Sequence, residues 1–485
     1  MKKHLTRLLK GTWVYGTGRT IGLVISFLLL PVFTSYLTPK DYGIISILGF
    51  ITFLVNPIFG LGFGVSLGLV YFDGGEVTRK HEATWTAFSI LLASACLLAS
   101  LGFIFSKEIS YVAFQTSIYS HYIRLYVMVA ALGILIPPLQ QFLQFEERAK
   151  TFVILTLASS LITIGLNVVF VVFLSRGVEG WIIGTLLGAL VTFILFFLVT
   201  ISSTRFRVNL SVGKELLKHG YPMIPGFAFL FIMGSSGKYM LQLFRGLEEV
   251  GIYAIGYNMG NIMMLAAGAF KSAWYPFFQS FVNEKERAKA LFGSVFTYYV
   301  FAFGTLSVLF FIFARPVTLI MTKQAFHESY KVIGMVALSQ FLIGVSSIFL
   351  TGVYYAKKIY LASAAQFIAS VAVLILNVLL IPAFGYIGAA AAMMLGFLFL
   401  AAVQEGINIT KKLWMPRYEW GRVARFITLY VFVAALSFFL GARLPGMAYT
   451  AISPAIALVF LAFMWLILSR KEKDYLLGYV SKLKG

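Results

Sequence analysis

Long apolar runs, each bounded by clusters of charged residues, follow one another along the whole chain. A helix of roughly 20 apolar residues is long enough to cross the hydrocarbon core of a bilayer, which is about 30 Å thick. The pattern therefore predicts fourteen transmembrane helices. Their approximate ranges are 12–37, 43–70, 83–106, 121–144, 151–174, 178–201, 220–244, 251–275, 291–314, 332–355, 360–382, 385–409, 423–442 and 449–469.

Prolines and glycines inside these runs predict where the helices bend. A proline in a helix interior removes one backbone hydrogen bond and usually kinks the helix. The predicted kink or hinge residues are Pro31, Pro57, Pro137, Pro138, Gly234 and Gly237. The two glycines belong to GSSGKYM at 234–240. Small residues there favour either close helix contact or a local break whose amides help Lys238 to hold an anion.

Composition and charge agree with a membrane protein. The chain is 60% hydrophobic and 12% charged, whereas soluble domains are about half apolar and about a quarter charged. The net charge of +21 comes from short basic loops on one side of the predicted helices. The positive-inside rule then places both termini in the cytoplasm. Because the basic residues are scattered over many loops, nucleic-acid binding is not expected.

Two stretches of the chain recur about 210 residues later. LNVVFVVFLSRGVEG at 166–180 resembles LNVLLIPAFGYIGAA at 376–390, and PKDYGII at 39–45 resembles LEEVGIY at 247–253. The second match pairs Gly43 with Gly251. Matches at nearly one offset indicate an internal duplication, which favours a transporter over a membrane enzyme.

The duplication predicts an all-α polytopic membrane protein built from two six-helix lobes. Because six is even, both lobes enter the membrane in the same direction, and their pseudo-twofold axis should follow the membrane normal. The predicted parts are an N-terminal lobe at 1–201, a cytoplasmic linker at 202–219, a C-terminal lobe at 220–409, and two extra helices with a basic tail at 410–485.

Four basic residues inside or near the ends of predicted spans are the candidate substrate-binding residues: Arg19, Lys238, Arg124 and Lys271. A charge at the bilayer centre costs at least about 2.5–3.5 kcal/mol, so it normally faces a cavity or a partner. Arg19, Arg124 and Lys271 could instead reach the membrane interface through their long side chains. No acid falls at mid-depth in a predicted span, which favours an anionic cargo over a cationic drug. No catalytic cluster, metal site or cofactor site is predicted.

The segments LLLPVFTSYLTPKDYG and GLEEVGIYAIGYNMG, with the two LNV segments, resemble the polysaccharide-flippase branch of the multidrug/oligosaccharidyl-lipid/polysaccharide exporter superfamily. The first helix, with Arg19-Thr20-Ile21-Gly22, also resembles the start of the lipid II flippase family, where an arginine lines the cavity. That family continues with Ala-Arg-Asp, and Val24-Ile25-Ser26 stands here instead.

The resemblance implies a flippase and not an enzyme. Its cargo would be an oligosaccharide linked to undecaprenyl pyrophosphate, moved across the inner membrane by alternating access for cell-surface polysaccharide biosynthesis. Glycan polymerases or glycosyltransferases would be its partners, beside the lipid bilayer. Two alternatives stay open: a lipid II flippase of peptidoglycan synthesis, and a multidrug cation antiporter of the same superfamily.

Overall fold

The fold is described here from a computed structural model. It describes residues 22, 24–25, 27–73, 77–470 and 472–474. All regular elements in these ranges are helices, so the predicted all-α class is confirmed. The described chain divides into two compact units, unit 1 ending at Gly251 and unit 2 beginning at Ile252.

Unit 1 contains ten helices among the described residues. They are α1 (Leu30–Tyr36), α2 (Pro39–Phe59), α3 (Phe63–Asp73), α4 (Val77–Ile104), α5 (Ser106–Phe114), α6 (Ser120–Phe145), α7 (Ala149–Val168), α8 (Gly177–Ser203), α9 (Leu210–Gly220) and α10 (Ile224–Arg245). The α7 helix continues into a π-helical turn, Val169–Phe173, and a 3₁₀ turn, Tyr221–Met223, precedes α10. Trp85, Leu139 and Phe142 belong to the buried core of this unit.

The remaining helices belong to unit 2, except that α11 crosses the boundary between the units. They are α11 (Leu247–Gly260), α12 (Met263–Ser280), α13 (Lys285–Met321), α14 (Tyr330–Tyr355), α15 (Tyr360–Thr410), α16 (Trp420–Arg443) and α17 (Gly446–Ile467). A 3₁₀ segment, Gln324–Ser329, joins α13 to α14. The α14 helix is the central one of unit 2, because nearly all of its residues are buried and it packs against α12, α13 and α15.

The chain is a multi-pass membrane protein. Among the described residues, 11 helical segments are long and apolar enough to cross a membrane, and 12 if the bent pair α11–α12 is one span. Of the first predicted span, 12–37, residues 12–21, 23 and 26 lie outside the described residues. The count of fourteen therefore stays a prediction.

The longest helix, α15, holds two of the predicted spans. Its 51 residues would extend over roughly 75 Å at 1.5 Å per residue, more than twice the thickness of the hydrocarbon core. Gly385 leaves the helical conformation, with φ 56° and ψ −134°. This break lies at the first residue of the predicted span 385–409, three residues after Pro382.

The start of α2 is fixed by a capping box. The Thr38 side chain accepts a hydrogen bond from the Asp41 backbone N–H at 3.2 Å, and Asp41 Oδ2 accepts one from the Thr38 N–H at 2.9 Å. Such caps satisfy two backbone donors that a helix start leaves free. Asp41 therefore has a structural role that accounts for an acid in this loop.

The two LNV segments make equivalent close contacts, each within its own unit. A Cβ atom on Gly180 would lie 2.7 Å from the Phe170 carbonyl oxygen, and one on Gly388 would lie 2.2 Å from the Leu380 carbonyl oxygen. Because neither glycine has a side chain, the start of one helix packs directly on the backbone at the end of the preceding helix. The pairing of these positions follows the alignment that the sequence suggests.

The two copies of the other repeat, 39–45 and 247–253, contact each other inside unit 1. A Cβ atom on Gly43 would lie 2.0 Å from the carbonyl oxygen of Leu247, and one on Gly251 would lie 1.8 Å from the carbonyl oxygen of Pro39. The sequence match pairs Pro39 with Leu247 and Gly43 with Gly251. The contact is therefore reciprocal, since each copy of the motif packs its glycine on the first residue of the other copy.

Candidate substrate-binding site

A cleft of about 260 Å³ opens in unit 1 between α2, α3, α4, α6 and α10. Three of the predicted kink residues, Pro57, Pro137 and Pro138, line this cleft together. The side chains that the structure describes around it are all uncharged. The α6 helix stays helical through its two prolines, so their effect on its motion stays a prediction.

The break between α2 and α3 forms one wall of the cleft. Pro57 has no N–H, so the last turn of α2 lacks one of its helical hydrogen bonds. The chain then turns at Leu61 (φ 53°) and Gly62 (φ 70°). A Cβ atom on Gly62 would lie 2.1 Å from the Gly220 carbonyl oxygen. The end of α9, which lies at the edge of the predicted linker, therefore packs directly on this break.

Two amide side chains supply the polar groups of the cleft. Gln141 Nε2 donates a hydrogen bond to the Gly64 carbonyl oxygen at 2.8 Å. Asn56 Oδ1 is buried and has no hydrogen-bond partner among the described residues. Neither amide was predicted as a site residue, although Asn56 precedes Pro57 in an apolar run, which is a signal in the sequence. These groups can hydrogen-bond hydroxyls but carry no charge.

The α10 helix closes the cleft on one side and packs along α2. Phe231 lies between Phe50 and Phe53, with ring centroids 5.1 Å and 5.3 Å apart. Tyr239 stacks on Phe50 at 5.6 Å, and its hydroxyl donates to the Val112 carbonyl oxygen at 3.0 Å. These aromatic contacts hold α10 against α2 and α5 within unit 1.

Lys238 lies on this same helix but farther along it. Phe227 of α10 lines the cleft, and Lys238 follows eleven residues later, roughly 16 Å along the helix axis. Its side chain is partly buried. The helix is continuous through Gly234 and Gly237, so their role as hinges stays a prediction.

Lys238 and Lys271 lie deep within their helices. In the helices that the structure describes, these two are the charged residues at least seven residues, or roughly two turns, from both helix ends. Lys271 lies nearer the middle of its helix than the sequence suggests, because α12 extends to Ser280. Its side chain is exposed. Both deep charges in these helices are cationic.

The other two predicted site residues differ in position. Arg124 lies near the start of α6, where its Nε donates a hydrogen bond to Ser106 Oγ at 2.9 Å. Its side chain is exposed, as expected for an arginine near a helix end. Arg19 lies outside the described residues. Over the part of the chain that is described, no group of three or more His, Cys, Asp or Glu residues could hold a metal ion.

This arrangement of helices is that of known membrane transport proteins. The fold is similar to the lipid II flippase MurJ in an inward-closed conformation, with a TM-score of 0.71, 13% identity, and coverage of 94% of this chain and 99% of that one. It is also similar to a multidrug resistance MATE family transporter of the MOP superfamily, with a TM-score of 0.63, 13% identity, and coverage of 83% and 94%. At these identities the likeness establishes the fold.

The family follows from the sequence itself. Residues 32–331 match the profile of the family described as "Polysaccharide biosynthesis protein", which is more than half of the 485 residues, so the chain belongs to this family. It is also 22% identical over 290 residues to protein 1 of the Lsg locus of Haemophilus influenzae, covering 58% of this chain and 68% of that protein. The predicted resemblance is confirmed. The family is therefore one of polysaccharide biosynthesis, and the fold is the one that the flippase and the transporter above share.

Proposed function

We propose that this chain is a flippase for an oligosaccharide linked to undecaprenyl pyrophosphate. It would move this cargo from the cytoplasmic to the outer leaflet of the inner membrane by alternating access. The observation that carries the proposal is the sign of the deep charges. Lys238 and Lys271 are both cationic, and the described helices contain no acid at the same distance from their ends.

The physical reason is the cost of a charge in hydrocarbon. An isolated charge at the bilayer centre costs at least about 2.5–3.5 kcal/mol, so it is tolerated where it faces water, a cavity or an opposite charge. A pyrophosphate group brings two or more negative charges and several acceptor oxygens. Charge-assisted hydrogen bonds to such oxygens are roughly twice as strong as neutral ones. Deep lysines in a polysaccharide-biosynthesis transporter therefore suit a pyrophosphate-linked glycan.

Each site residue has a role in this proposal. Lys238 and Arg19 would hold the phosphates during the movement. Arg124, near the start of α6, and Lys271, in the middle of α12, would contact the phosphates at other stages. The uncharged cleft would hold sugar hydroxyls through Asn56 and Gln141, because amides can donate to and accept from hydroxyls.

The proposal includes the orientation in the membrane. Both termini would lie on the cytoplasmic side, which the basic loops favour by the positive-inside rule. The glycan would then be loaded by cytoplasmic glycosyltransferases and passed to a polymerase on the outer side. These partners follow from the chemistry of the cargo, which must be assembled before the movement and consumed after it.

Loss of the chain in its native host is the first test. We expect the lipid-linked oligosaccharide to accumulate and the surface polysaccharide to fall to background, and a plasmid-borne copy should restore it. Lipid extraction with chromatography measures the precursor, and antibody or lectin binding to intact cells measures the surface glycan. Normal surface glycan without the chain would contradict the proposal.

The same strains separate the two alternatives. A multidrug antiporter should export cationic dyes such as ethidium, and a deep carboxylate would be expected in its spans. We therefore expect equal dye retention with and without the chain. Rescue of cells depleted of their lipid II flippase would assign lipid II as the cargo, since the two cargoes share the pyrophosphate. Dye export would contradict an anion site.

A further inference from the structure

The stretch between α8 and α9 in unit 1 exposes basic and apolar side chains next to one another. The α8 helix ends at Ser203, and residues 205–209 form no regular element before α9 begins at Leu210. Five exposed residues of this stretch, here called the linker surface, are Arg205, Phe206, Arg207, Val208 and Leu210. They lie in the predicted linker and have no part in the proposed cargo site.

Three residues of the linker surface are large and apolar. Phe206, Val208 and Leu210 are 60%, 49% and 83% exposed. A single exposed apolar residue is ordinary, but three within five residues are typical of a surface that contacts another apolar phase. The first of them follows the end of a membrane-spanning helix by three residues. This places the linker surface at the level of the lipid headgroups, where apolar side chains can reach the acyl chains.

The two arginines of the linker surface have no acidic partner. Among the ion pairs of the described residues, none includes Arg205 or Arg207. Three acids on the neighbouring helix ends are engaged by other side chains: Glu82 by Asn209, Glu146 by Tyr71 and Glu215 by Arg79. The positive charge of the linker surface is therefore available to a ligand.

Further basic residues surround the linker surface. Arg148, which is exposed, donates a hydrogen bond from Nη1 to Ser203 Oγ at 2.7 Å, at the end of α8. The α9 helix packs on α3 and α4 through its buried residues and leaves Lys214 and Lys218 exposed. From residue 205 to residue 218 the chain holds four basic residues and one acid. The whole face is thus positively charged.

Hydrogen bonds at both ends hold this stretch on the start of α4. Trp85 Nε1 donates to Thr204 Oγ1 at 2.9 Å, and the Asn209 N–H donates to Thr86 Oγ1 at 2.9 Å. Trp85 is fully buried, and the Phe206 ring lies 4.9 Å from its ring centroid. The exposed side chains between the two hydrogen bonds therefore keep a fixed place beside the end of α8.

Apolar side chains beside arginines without acidic partners are complementary to a lipid surface of negative charge. The apolar groups would enter the acyl region, and guanidinium groups match phosphate oxygens in geometry and charge. We propose that the linker surface, with Arg148 beside it, binds the phosphate headgroups of anionic phospholipids. In the orientation proposed above this is the cytoplasmic leaflet, whose anionic lipids attract basic segments. The lipid site does not depend on the identity of the cargo.

Thermal unfolding of the purified full-length protein in detergent tests the choice of ligand. A ligand that binds only the folded state raises the unfolding temperature. Phosphatidylglycerol should raise it by about 2 °C more than phosphatidylcholine does at the same concentration. Inorganic phosphate should not replace the lipid, because it offers nothing to the apolar side chains. Equal shifts with the two lipids, or the full shift with inorganic phosphate, would overturn the proposal.

A double variant shows whether the linker surface is the site. Arg205→Gln with Arg207→Gln should lose most of the difference between the two lipids. Lys411→Gln with Lys412→Gln removes the same charge from two exposed residues of unit 2 and should keep the difference, which separates a local site from the effect of net charge. An unchanged difference in the arginine variant would contradict the assignment, whatever the cargo assays show.

A spin label tests the apolar contact independently. Cys96 is first replaced by alanine, and a nitroxide is attached through Leu210→Cys in the full chain reconstituted in phosphatidylglycerol vesicles. The label should be more accessible to dissolved oxygen, which concentrates in the bilayer, than to a water-soluble nickel complex. A nitroxide at Leu210→Cys that meets the nickel complex as readily as one at Lys412→Cys would show that the linker surface lies in water and would refute the proposal.

Discussion

Replacing Lys238 with alanine should abolish delivery of the lipid-linked glycan to the outer leaflet while the protein reaches the membrane at its normal level. The lysine is a deep cation of α10, and the alanine removes the charge that would hold the pyrophosphate. A hydrogen bond to a charged group contributes about 1.5–3 kcal/mol, so we expect at least about a tenfold loss of delivery. Surface glycan on intact cells measures the effect.

Two further variants show whether charge is the cause. Lys238→Arg keeps the positive charge and should retain part of the delivery, whereas Lys238→Gln keeps polarity without charge and should behave like the alanine variant. Lys323→Ala removes an exposed lysine outside the helices and serves as the control. If Lys238→Gln delivered as much glycan as the wild type, the lysine would have no part in binding the cargo.

Gly43→Ala should strongly destabilise the fold and lower its unfolding temperature. The new methyl group would lie 2.0 Å from the Leu247 carbonyl oxygen, and a backbone atom cannot move aside without shifting its helix. Overpacking of this kind costs about 1–3 kcal/mol or more, a large part of the usual stability of about 5–15 kcal/mol. Gly251→Ala should act equally, because its methyl group would lie 1.8 Å from the Pro39 carbonyl oxygen.

Gly49→Ala on the same helix is the matched control. Nothing lies within 4 Å of a Cβ atom at Gly49, and alanine favours a helix over glycine by about 1 kcal/mol. This variant should keep or raise the unfolding temperature, while the other two lower the yield of monodisperse protein. The double variant at Gly43 and Gly251 should lose less stability than the two single variants together. The helix shift that one methyl group causes also makes room for the other. Normal unfolding temperatures for both single variants would contradict the observed contact.

The helices were predictable because the length of an apolar run determines whether it can cross a membrane as a helix. Most apolar runs that the structure describes became one helix within a few residues of the predicted bounds, with α13 the main extension, from Lys285 to Met321. The exceptions are 43–70 and 251–275, which are each divided into two helices, and the runs 360–382 and 385–409, which share α15. The repeats were also informative, because Gly43 and Gly251 are required at a backbone contact that tolerates no side chain. Close backbone packing requires a glycine, and a glycine that recurs in a repeated motif can be recognised in the sequence.

Bends without a proline could not be predicted. The 45° bend between α11 and α12 falls at Asn261–Ile262, where the sequence offers no residue that must break a helix. The π-helical turn at Val169–Phe173 likewise lies in an unbroken apolar run. Both depend on packing against neighbouring helices, which one-dimensional patterns do not contain.

The candidate site, too, could be predicted from the sequence only in part. The prolines at 57, 137 and 138 were singled out for their effect on the backbone, but only the fold brings them to one cleft beside Asn56 and Gln141. Glu405 of α15 is only 9% exposed, and Tyr418 of the segment 411–419 brings its hydroxyl to the Glu405 carboxylate. Its position near a helix end gave no sign of this in the sequence.

Movement of a defined lipid by the purified protein tests the central claim most directly. The protein is reconstituted in vesicles with a fluorescent disaccharide linked to undecaprenyl pyrophosphate, and a membrane-impermeant quencher reports which leaflet holds the label. With the wild-type protein, the label placed in one leaflet should become accessible from the other, and with Lys238→Ala it should not. Label that stays in its leaflet with the wild type, or that crosses equally fast with Lys238→Ala, would contradict the account.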